Sequence, residues 1–361
     1  MKIVIRAGGV GTRLWPISRT NSPKQFQAIV NDKSLIRNTV NRIKPLLQSR
    51  RDIFISVNRE MVEKLKKEIP ELPNENIIVE PASRNTGPAI CLESCILAER
   101  AGEEVIAASL PSDDYIQNET AFHNLLRAAK KFLEKNPEYI VTPGVKPDYP
   151  DTGYSYIRAG ESLVGKGEGE IFQVAGWVEK PNLDYCEELI RSGEYFYHTG
   201  MYIWKLKTIL DLFKKFQPKM YKVCKKIAGL MAEPGKNKLI AELYSGLEKV
   251  TVESAITNKA EKIAVIVSDR IGWSDVGKWH IVARILPPDK NGNVVKGKII
   301  ALDTKNCLIY GSEDKLIATV GLNDMVIVLT EDALLVCPKE KSAEVKKIVE
   351  ELEKRGVKQY L

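Results

Sequence analysis

The chain has 361 residues, of which 44% are hydrophobic and 28% charged, enough for one large and one smaller globular domain. No apolar run approaches the roughly 20 residues of a membrane helix, and the first residues enter a strand pattern instead of a leader, so a cytoplasmic protein without a membrane partner is expected. The net charge of +7 comes from interspersed acids and bases without a nucleic-acid motif, which suits a phosphorylated small substrate and argues against a nucleic-acid partner.

Ile3 to Ile5 form a short apolar run, and directly after it comes "AGGVGTRLWPISRTNSPKQF", Ala7 to Phe26. This glycine-rich turn lacks the Lys-Ser/Thr pair of a P-loop, and Leu14 stands where a dinucleotide fingerprint needs its last glycine. Gly8, Gly9 and Gly11 can bring backbone N–H groups close to phosphates or a base, with Arg13 and Lys24 adding two cations; the plainer reading is a surface turn with solvated charges.

Further along, Asp52 to Asn58, Glu104 to Leu110 and Tyr139 to Val145 read as buried strands. Phe122, Leu125, Leu126, Ala129, Phe132 and Leu133 mark one face of an intervening helix. Alternation of this kind predicts an α/β fold: a Rossmann-like mixed, mostly parallel sheet with helices on both faces and ligands at the carboxyl ends of its strands. Around Pro287 to Asn293 the texture changes. Ile299 to Leu302, Cys307 to Tyr310, Leu316 to Val320, Met325 to Leu329 and Ala333 to Cys337 follow at close intervals between turn residues. They predict a small all-β unit, either β-helix-like coils or a sandwich. A terminal helix follows, capped by Ser342, with Val345, Ile348, Val349 and Leu352 on its apolar face and Gly356 at its end. The domains are thus set at 1–286 and 287–361. The terminal helix packs on its own domain or on a partner subunit, and a homodimer through the C-terminal region is one expectation. Six scattered cysteines without a C-x-x-C pair, and only three histidines, predict buried free thiols in preference to a metal site.

Taken alone, several polar residues have two readings. Asp113 follows the run Val105 to Leu110, and Asp275 follows the run Ile263 to Val267; a single Asp in such a place is more often a turn or cap residue. Arg84, Asn85 and Thr86 precede a helix and suit either a nucleotide or simple capping. Glu179 and Lys180 before a proline read as a solvated turn.

The blocks together resemble a known family. The loop Ala7 to Phe26 is similar to the signature of the sugar-nucleotide pyrophosphorylases, and its "LWP" and "PKQF" resemble the mannose-1-phosphate guanylyltransferase branch. "VEPASRNTGPAI", "LPSDDYI", "TPGVKPDYPDTGYSYI", "VEKP", "HTGMYIW" and "GWSDVGKW" follow in the family's order, and the C-terminal stretch resembles the family's tail. The resemblance implies transfer of GMP from GTP to α-D-mannose 1-phosphate, with release of pyrophosphate and no covalent enzyme intermediate. It implies that Asp113 and Asp275 share a divalent metal, Mg²⁺ above all, and that Arg13 and Lys24 hold the triphosphate. Ala7, Gly8, Gly9, Gly11, Thr12, Arg84, Asn85, Thr86 and Ser112 are then nucleotide-binding. Lys180 neutralises the sugar phosphate, and Gly144, Gly153, Tyr154, Glu179, His198, Gly200 and Glu253 line the sugar-phosphate side.

Four positions depart from the family's pattern. Arg6 replaces an apolar residue, Asp114 a histidine, His198 an asparagine and Glu253 an aspartate. His198 and Glu253 keep open the same transfer to another sugar 1-phosphate, a manno-heptose or glucose. A non-catalytic nucleotide-sugar sensor would be expected to lose the cations or the carboxylates. A bifunctional enzyme with isomerase activity would need a further C-terminal domain.

Overall fold

The computed structural model describes residues 1–361 except 10, 166–168 and 232. The chain packs into two compact units, the first of Met1–Gly8, Arg42–Pro111 and Ile116–Trp273, the second of Gly9–Asn41, Ser112–Tyr115 and Ser274–Leu361. Packing therefore interleaves the chain, whereas the sequence reading divides it once, after residue 286.

In chain order the strands up to residue 275 are β1 (Lys2–Ala7), β2 (Ile53–Asn58), β3 (Ile77–Glu80), β4 (Ile106–Pro111), β5 (Asp114–Ile116), β6 (Ile140–Val145), β7 (Tyr156–Val164), β8 (Glu170–Val178), β9 (Tyr195–His198), β10 (Tyr202–Lys205), β11 (Ile263–Ser268) and β12 (Trp273–Asp275). Ten of them make the sheet of the first unit, ordered β11-β8-β7-β9-β6-β10-β4-β1-β2-β3. Parallel pairing runs through β4, β1, β2 and β3, and β6 is parallel to β11. The hydrophobic runs of β1 and β2 are buried on both faces, as a parallel core requires. Antiparallel β10 joins the parallel strands to β6, and antiparallel β7, β8 and β9 complete the sheet, which makes it mixed. The helices Thr86–Ala101, Leu206–Phe216, Pro218–Leu230 and Asn237–Ser245 bury one face over Val4, Phe54, Ile78, Ala107 and Trp204. Helix Glu119–Lys135 packs on β6, β10 and β11 with the apolar stripe foreseen from its sequence.

The second unit contains β13 (Val294–Lys296), β14 (Ile299–Leu302), β15 (Leu308–Tyr310), β16 (Ile317–Val320), β17 (Met325–Leu329) and β18 (Leu334–Pro338). Strands β13, β15 and β17 are parallel neighbours, as are β14 and β16, while β18 closes on β17 antiparallel. Residues one coil apart stack, Leu308 beside Val326 and Ile299 beside Ile317, so the coiled arrangement applies and the sandwich does not. Alternation splits the strand residues in two. Ile309, Ile317 and Ile327 fill the coil interior, whereas Val294, Leu308, Tyr310, Val326 and Val328 pack with Leu14, Trp15, Ile29, Leu35 and Trp279. Burial of these loop residues is the reason that residues 9–41 belong with the C-terminal segment.

The terminal helix runs Val345–Lys354 and buries Val345 and Val349. Two expectations for it need correction. Ile348 is exposed, and Ser342 is not its cap: a 3₁₀ turn, Lys339–Glu344, precedes the helix, and the buried Ser342 hydroxyl lies 3.0 Å from His280 Nδ1. Gly356 does end the helix, with φ at 68°. All six thiols are free, and Cys91, Cys95, Cys186, Cys224 and Cys307 are buried. Among the described residues no helix is long and apolar enough to cross a membrane.

Candidate active site

In the second unit the loop after β1 folds around one lysine. Gly11 takes φ 77°, and a Cβ there would stand 2.6 Å from Cγ of Lys24, so only glycine lets the lysine stem run against this turn. Pro23 precedes the 3₁₀ turn Lys24–Phe26, which buries Lys24, and Gln25 donates to the Gly9 carbonyl at 3.0 Å. Core side chains hold the loop from outside. Trp279 Nε1 donates to the Trp15 carbonyl at 2.9 Å, Tyr310 Oη to the Ala28 carbonyl at 3.0 Å, and Arg19 grips Asp332 with both terminal nitrogens.

The Lys24 ammonium touches the Asp113 carboxylate and lies 3.2 Å from both Asp275 Oδ1 and the Val276 carbonyl. Arg13 approaches the other Asp275 oxygen at 3.9 Å. Gly277 leaves room for this pair, because a Cβ would lie 2.9 Å from Asp275 Oδ2 and 3.2 Å from Arg13 Nη2 and would push both side chains aside. Burial works against the Lys24 charge, but Asp113 and Asp275 outweigh it and hold the ammonium above its ordinary pKa. Burial likewise opposes ionisation of Asp275, and Lys24, then Arg13 and Lys278, keep its carboxyl below the usual range. Three cations thus surround two carboxylates, a setting in which charge can be passed to phosphate oxygens at little cost in reorganisation.

Asp113 and Asp275 converge on a single cation, the Lys24 ammonium, so they are close enough to share one. Among the described residues no group of three or more His, Cys, Asp or Glu side chains could hold a metal. A carboxylate pair fits a hard divalent ion that completes its shell with water and substrate phosphates. Asp114, the departure beside Asp113, is buried at the start of β5.

In the first unit the remaining residues fall into two groups. Asn85 caps helix Thr86–Ala101, its side chain accepting from Thr86 N at 2.8 Å; Thr86 Oγ1 accepts from Val252 N at 2.9 Å; and Arg84 donates to the Ser245 carbonyl. Capping and packing therefore engage all three side chains. Gly8 ends the first segment with its carbonyl accepting from Asn58 Nδ2 at 3.1 Å.

On the other side, Glu179 and Lys180 pair at 2.9 Å in an exposed position, with Ser155 donating to Glu179. Burial works against the Glu179 charge, but Ser155 and Lys180 keep its carboxyl below the usual range. Lys180 has φ 42°, a left-handed conformation that costs a non-glycine residue roughly 1–2 kcal/mol and fixes where its side chain departs. Gly144 has a packing reason to be glycine, since a Cβ would stand 2.6 Å from Val265 Cγ2. Gly153 N donates to Asp151 Oδ1 at 2.7 Å, and the buried Tyr154 ring lies against Tyr197 and Trp273. His198 rests between Trp177 and Tyr202, and Tyr202 Oη donates to Glu253 at 2.8 Å. Burial, with Arg6 nearby, lowers the His198 pKa to about 4 despite Glu253 and Glu179, so the imidazole is neutral at physiological pH.

A nucleotidyl transferase family model matches residues 2–287, and a model of the mannose-phosphate isomerase/GMP-like β-helix domain matches residues 297–352. The chain is 34% identical over 360 residues to a mannose-1-phosphate guanylyltransferase of Escherichia coli, covering 99% of this chain and 76% of that protein. It is 35% identical over 361 residues to the Klebsiella pneumoniae protein of the same name, covering 99% and 75%. The chain belongs to the mannose-1-phosphate guanylyltransferase family. A solved Thermus thermophilus structure, described as a mannose-1-phosphate geranyltransferase, superposes with a TM-score of 0.84 at 30% identity, covering 98% of this chain and 99% of that one. A Helicobacter pylori mannose-6-phosphate isomerase structure gives a TM-score of 0.58 at 25% identity, covering 76% and 100%.

Within this guanylyltransferase framework, Arg13, Lys24, Asp113 and Asp275 come together in the second unit, which also holds Gly9, Gly11, Thr12 and Ser112. Ala7, Gly8, Arg84 to Thr86, Lys180 and the sugar-side residues lie in the first. Sequence reasoning passed over Lys278 and Gly277, although both stand in the block "GWSDVGKW" beside Asp275. A small residue and a cation adjoining a candidate metal carboxylate were the available signal. Enzymes of this family generally use a divalent metal.

Proposed function

We propose that the chain transfers the guanylyl group of GTP to α-D-mannose 1-phosphate, giving GDP-mannose and pyrophosphate. A phosphate oxygen of the sugar attacks the α-phosphorus in line. The bond from that phosphorus to the oxygen leading to the β-phosphate breaks, and pyrophosphate leaves with the electron pair. The observation that carries this reading is the set of Arg13, Lys24 and Lys278 around Asp113 and Asp275. Arg13 and Lys24 neutralise the charge that builds on the leaving pyrophosphate. Asp113 and Asp275 hold Mg²⁺, which when bound supplies positive charge to phosphate oxygens. Ala7, Gly8, Gly9, Gly11, Thr12 and Ser112 line the nucleotide through backbone and hydroxyl groups, with Arg84, Asn85 and Thr86 at a helix start. Lys180 receives the sugar phosphate; Glu179, His198 and Glu253 face the hydroxyls, with Gly144, Gly153, Tyr154 and Gly200 shaping the pocket.

The names of the relatives favour mannose 1-phosphate over a heptose or glucose ester, and an enzyme over a sensor. Residues 1–286 form the catalytic portion and 287–361 the portion that braces it. The substrates support a cytoplasmic location. Ile300, Leu302 and Val320, exposed side by side on β14 and β16, support a homodimer through the C-terminal strands, which sedimentation at two concentrations tests. For the activity, purified protein is incubated with GTP, Mg²⁺ and a panel of sugar 1-phosphates. Pyrophosphate release is expected with mannose 1-phosphate; release with another sugar but not with mannose would sink the substrate assignment.

A further inference from the structure

Strand β1 reads Lys-Ile-Val-Ile-Arg-Ala, and its position between β2 and β4 makes Arg6 a charge within the parallel core of the sheet. A guanidinium there is costly unless every donor finds a partner. Register places Val4 beside Ser109, Arg6 beside Ser56, and Ser109 beside Tyr202. Alternation therefore sets Arg6, Ser56, Ser109 and Tyr202 on one face of the sheet. Glu80, hydrogen-bonded to Ser56 at 3.2 Å, interacts electrostatically with Arg6, whereas burial raises the Glu93 pKa to about 8 and leaves that carboxyl mostly protonated at neutral pH.

The guanidinium spends its directed hydrogen bonds elsewhere. One nitrogen donates to Ser109 Oγ and another to the Gly200 carbonyl at 2.7 Å. Gly200 stands at φ 70° in "HTGM", where the chain turns from β9 into β10. Thr199 Oγ1 bonds the Pro143 carbonyl at 3.0 Å and Thr142 Oγ1 the Met201 carbonyl at 2.9 Å, so Arg6 completes a row of side-chain clamps along this turn. His198, immediately before it, feels both Arg6 and Glu253, and Glu253 accepts from Tyr202 just after it. Three departures from the family's pattern, Arg6, His198 and Glu253, thus meet around a single turn.

We propose that Arg6 is a positioning residue for the sugar-phosphate side: by clamping the Gly200 carbonyl to Ser109, it sets the turn His198–Met201 and, with it, the fit of the acceptor sugar. The proposal rests on the guanylyl-transfer reading. It assigns Arg6 no contact with GTP, because its bonds all go to the sheet and the turn.

Steady-state kinetics of Arg6→Leu, Arg6→Lys and Ser109→Ala with GTP and mannose 1-phosphate test it. Loss of a charged hydrogen bond that orients the turn is expected to raise KM for mannose 1-phosphate about tenfold in Arg6→Leu. KM for GTP should stay within about twofold. Arg6→Lys keeps the charge opposite Glu80 and should fold like the parent, with an intermediate rise in sugar KM; Ser109→Ala should shift the same constant in the same direction. An unchanged sugar KM in Arg6→Lys and Ser109→Ala, with or without a lower melting temperature, overturns the proposal. So does a rise in GTP KM alone. If the unaltered protein makes no GDP-mannose, the functional reading has failed; an active parent with indifferent variants fails the Arg6 inference alone.

Discussion

Lys24 and Lys180 carry the same charge in opposite settings. The Lys24 side chain is 10% exposed and held by Asp113 and Asp275, whereas that of Lys180 is 61% exposed and paired with Glu179. An exposed pair of this kind contributes about 0–1 kcal/mol, so Lys180 can leave Glu179 for a phosphate at small cost. A buried ammonium cannot lose both partners without replacement, and its place is set by Gly11 and the packed loop. On the proposed reading, preorganised charge sits where the chemistry is constant, at the departing pyrophosphate. On the side proposed for the sugar the backbone is fixed, by φ 42° at Lys180, and on that reading the exposed charged tip follows the substrate.

The strongest way to break this contrast is Asp275→Ala. It removes a partner of Lys24 and Arg13, and turnover should fall by about 100-fold or more while the circular-dichroism spectrum is retained. Near-normal pyrophosphate release would show that the buried cluster is structural. Lys180→Ala should act more mildly, raising KM for mannose 1-phosphate about tenfold with little change in KM for GTP or in melting temperature. A defect confined to GTP would reverse the assignment of the two lysines.

The smallest effect concerns Glu93, whose carboxyl is buried. Burial pushes its pKa up from 4.5 to about 8 despite Arg6. The native state then keeps a proton that the unfolded chain has lost, so this contribution to stability is complete below pH 4.5 and declines as pH rises to about 8. His198 acts in the opposite sense: its folded pKa of about 4, against an ordinary 6.5, keeps its contribution intact above pH 6.5 and loses it as pH falls. Denaturant melts between pH 6.5 and 8 therefore isolate Glu93 of the two. Glu93 should make the parent lose up to about 1.4 kcal/mol per pH unit, and Glu93→Gln should show a clearly smaller slope. Equal slopes would mean that Glu93 is ionised in the native protein.

Much of this was legible in the chain. Buried apolar runs gave β2, β4 and β6, a helical stripe gave helix Glu119–Lys135, and five short apolar runs gave β14 to β18 to within a residue or two. The antiparallel strands β7 to β9 are not legible because half-exposed strands carry weak hydrophobic signals, and the buried β10 is only four residues long. Ser342 misled because a serine before an apolar run is a cap signal, and only the packed fold shows its hydroxyl beside His280.

For the site, local sequence determined residue types: a glycine loop bearing Arg13 and Lys24, and acids at strand ends. Chain order could not bring Asp113 and Asp275 to one ammonium, since they come from segments far apart in sequence. Nor could it explain Arg6, whose partners Ser109 and Gly200 are equally remote. The sequence by itself determined which groups are available and which turns they can form. Tertiary structure alone decided which charges are buried together, because burial and pairing depend on residues that meet only after the sheet and the coils have closed.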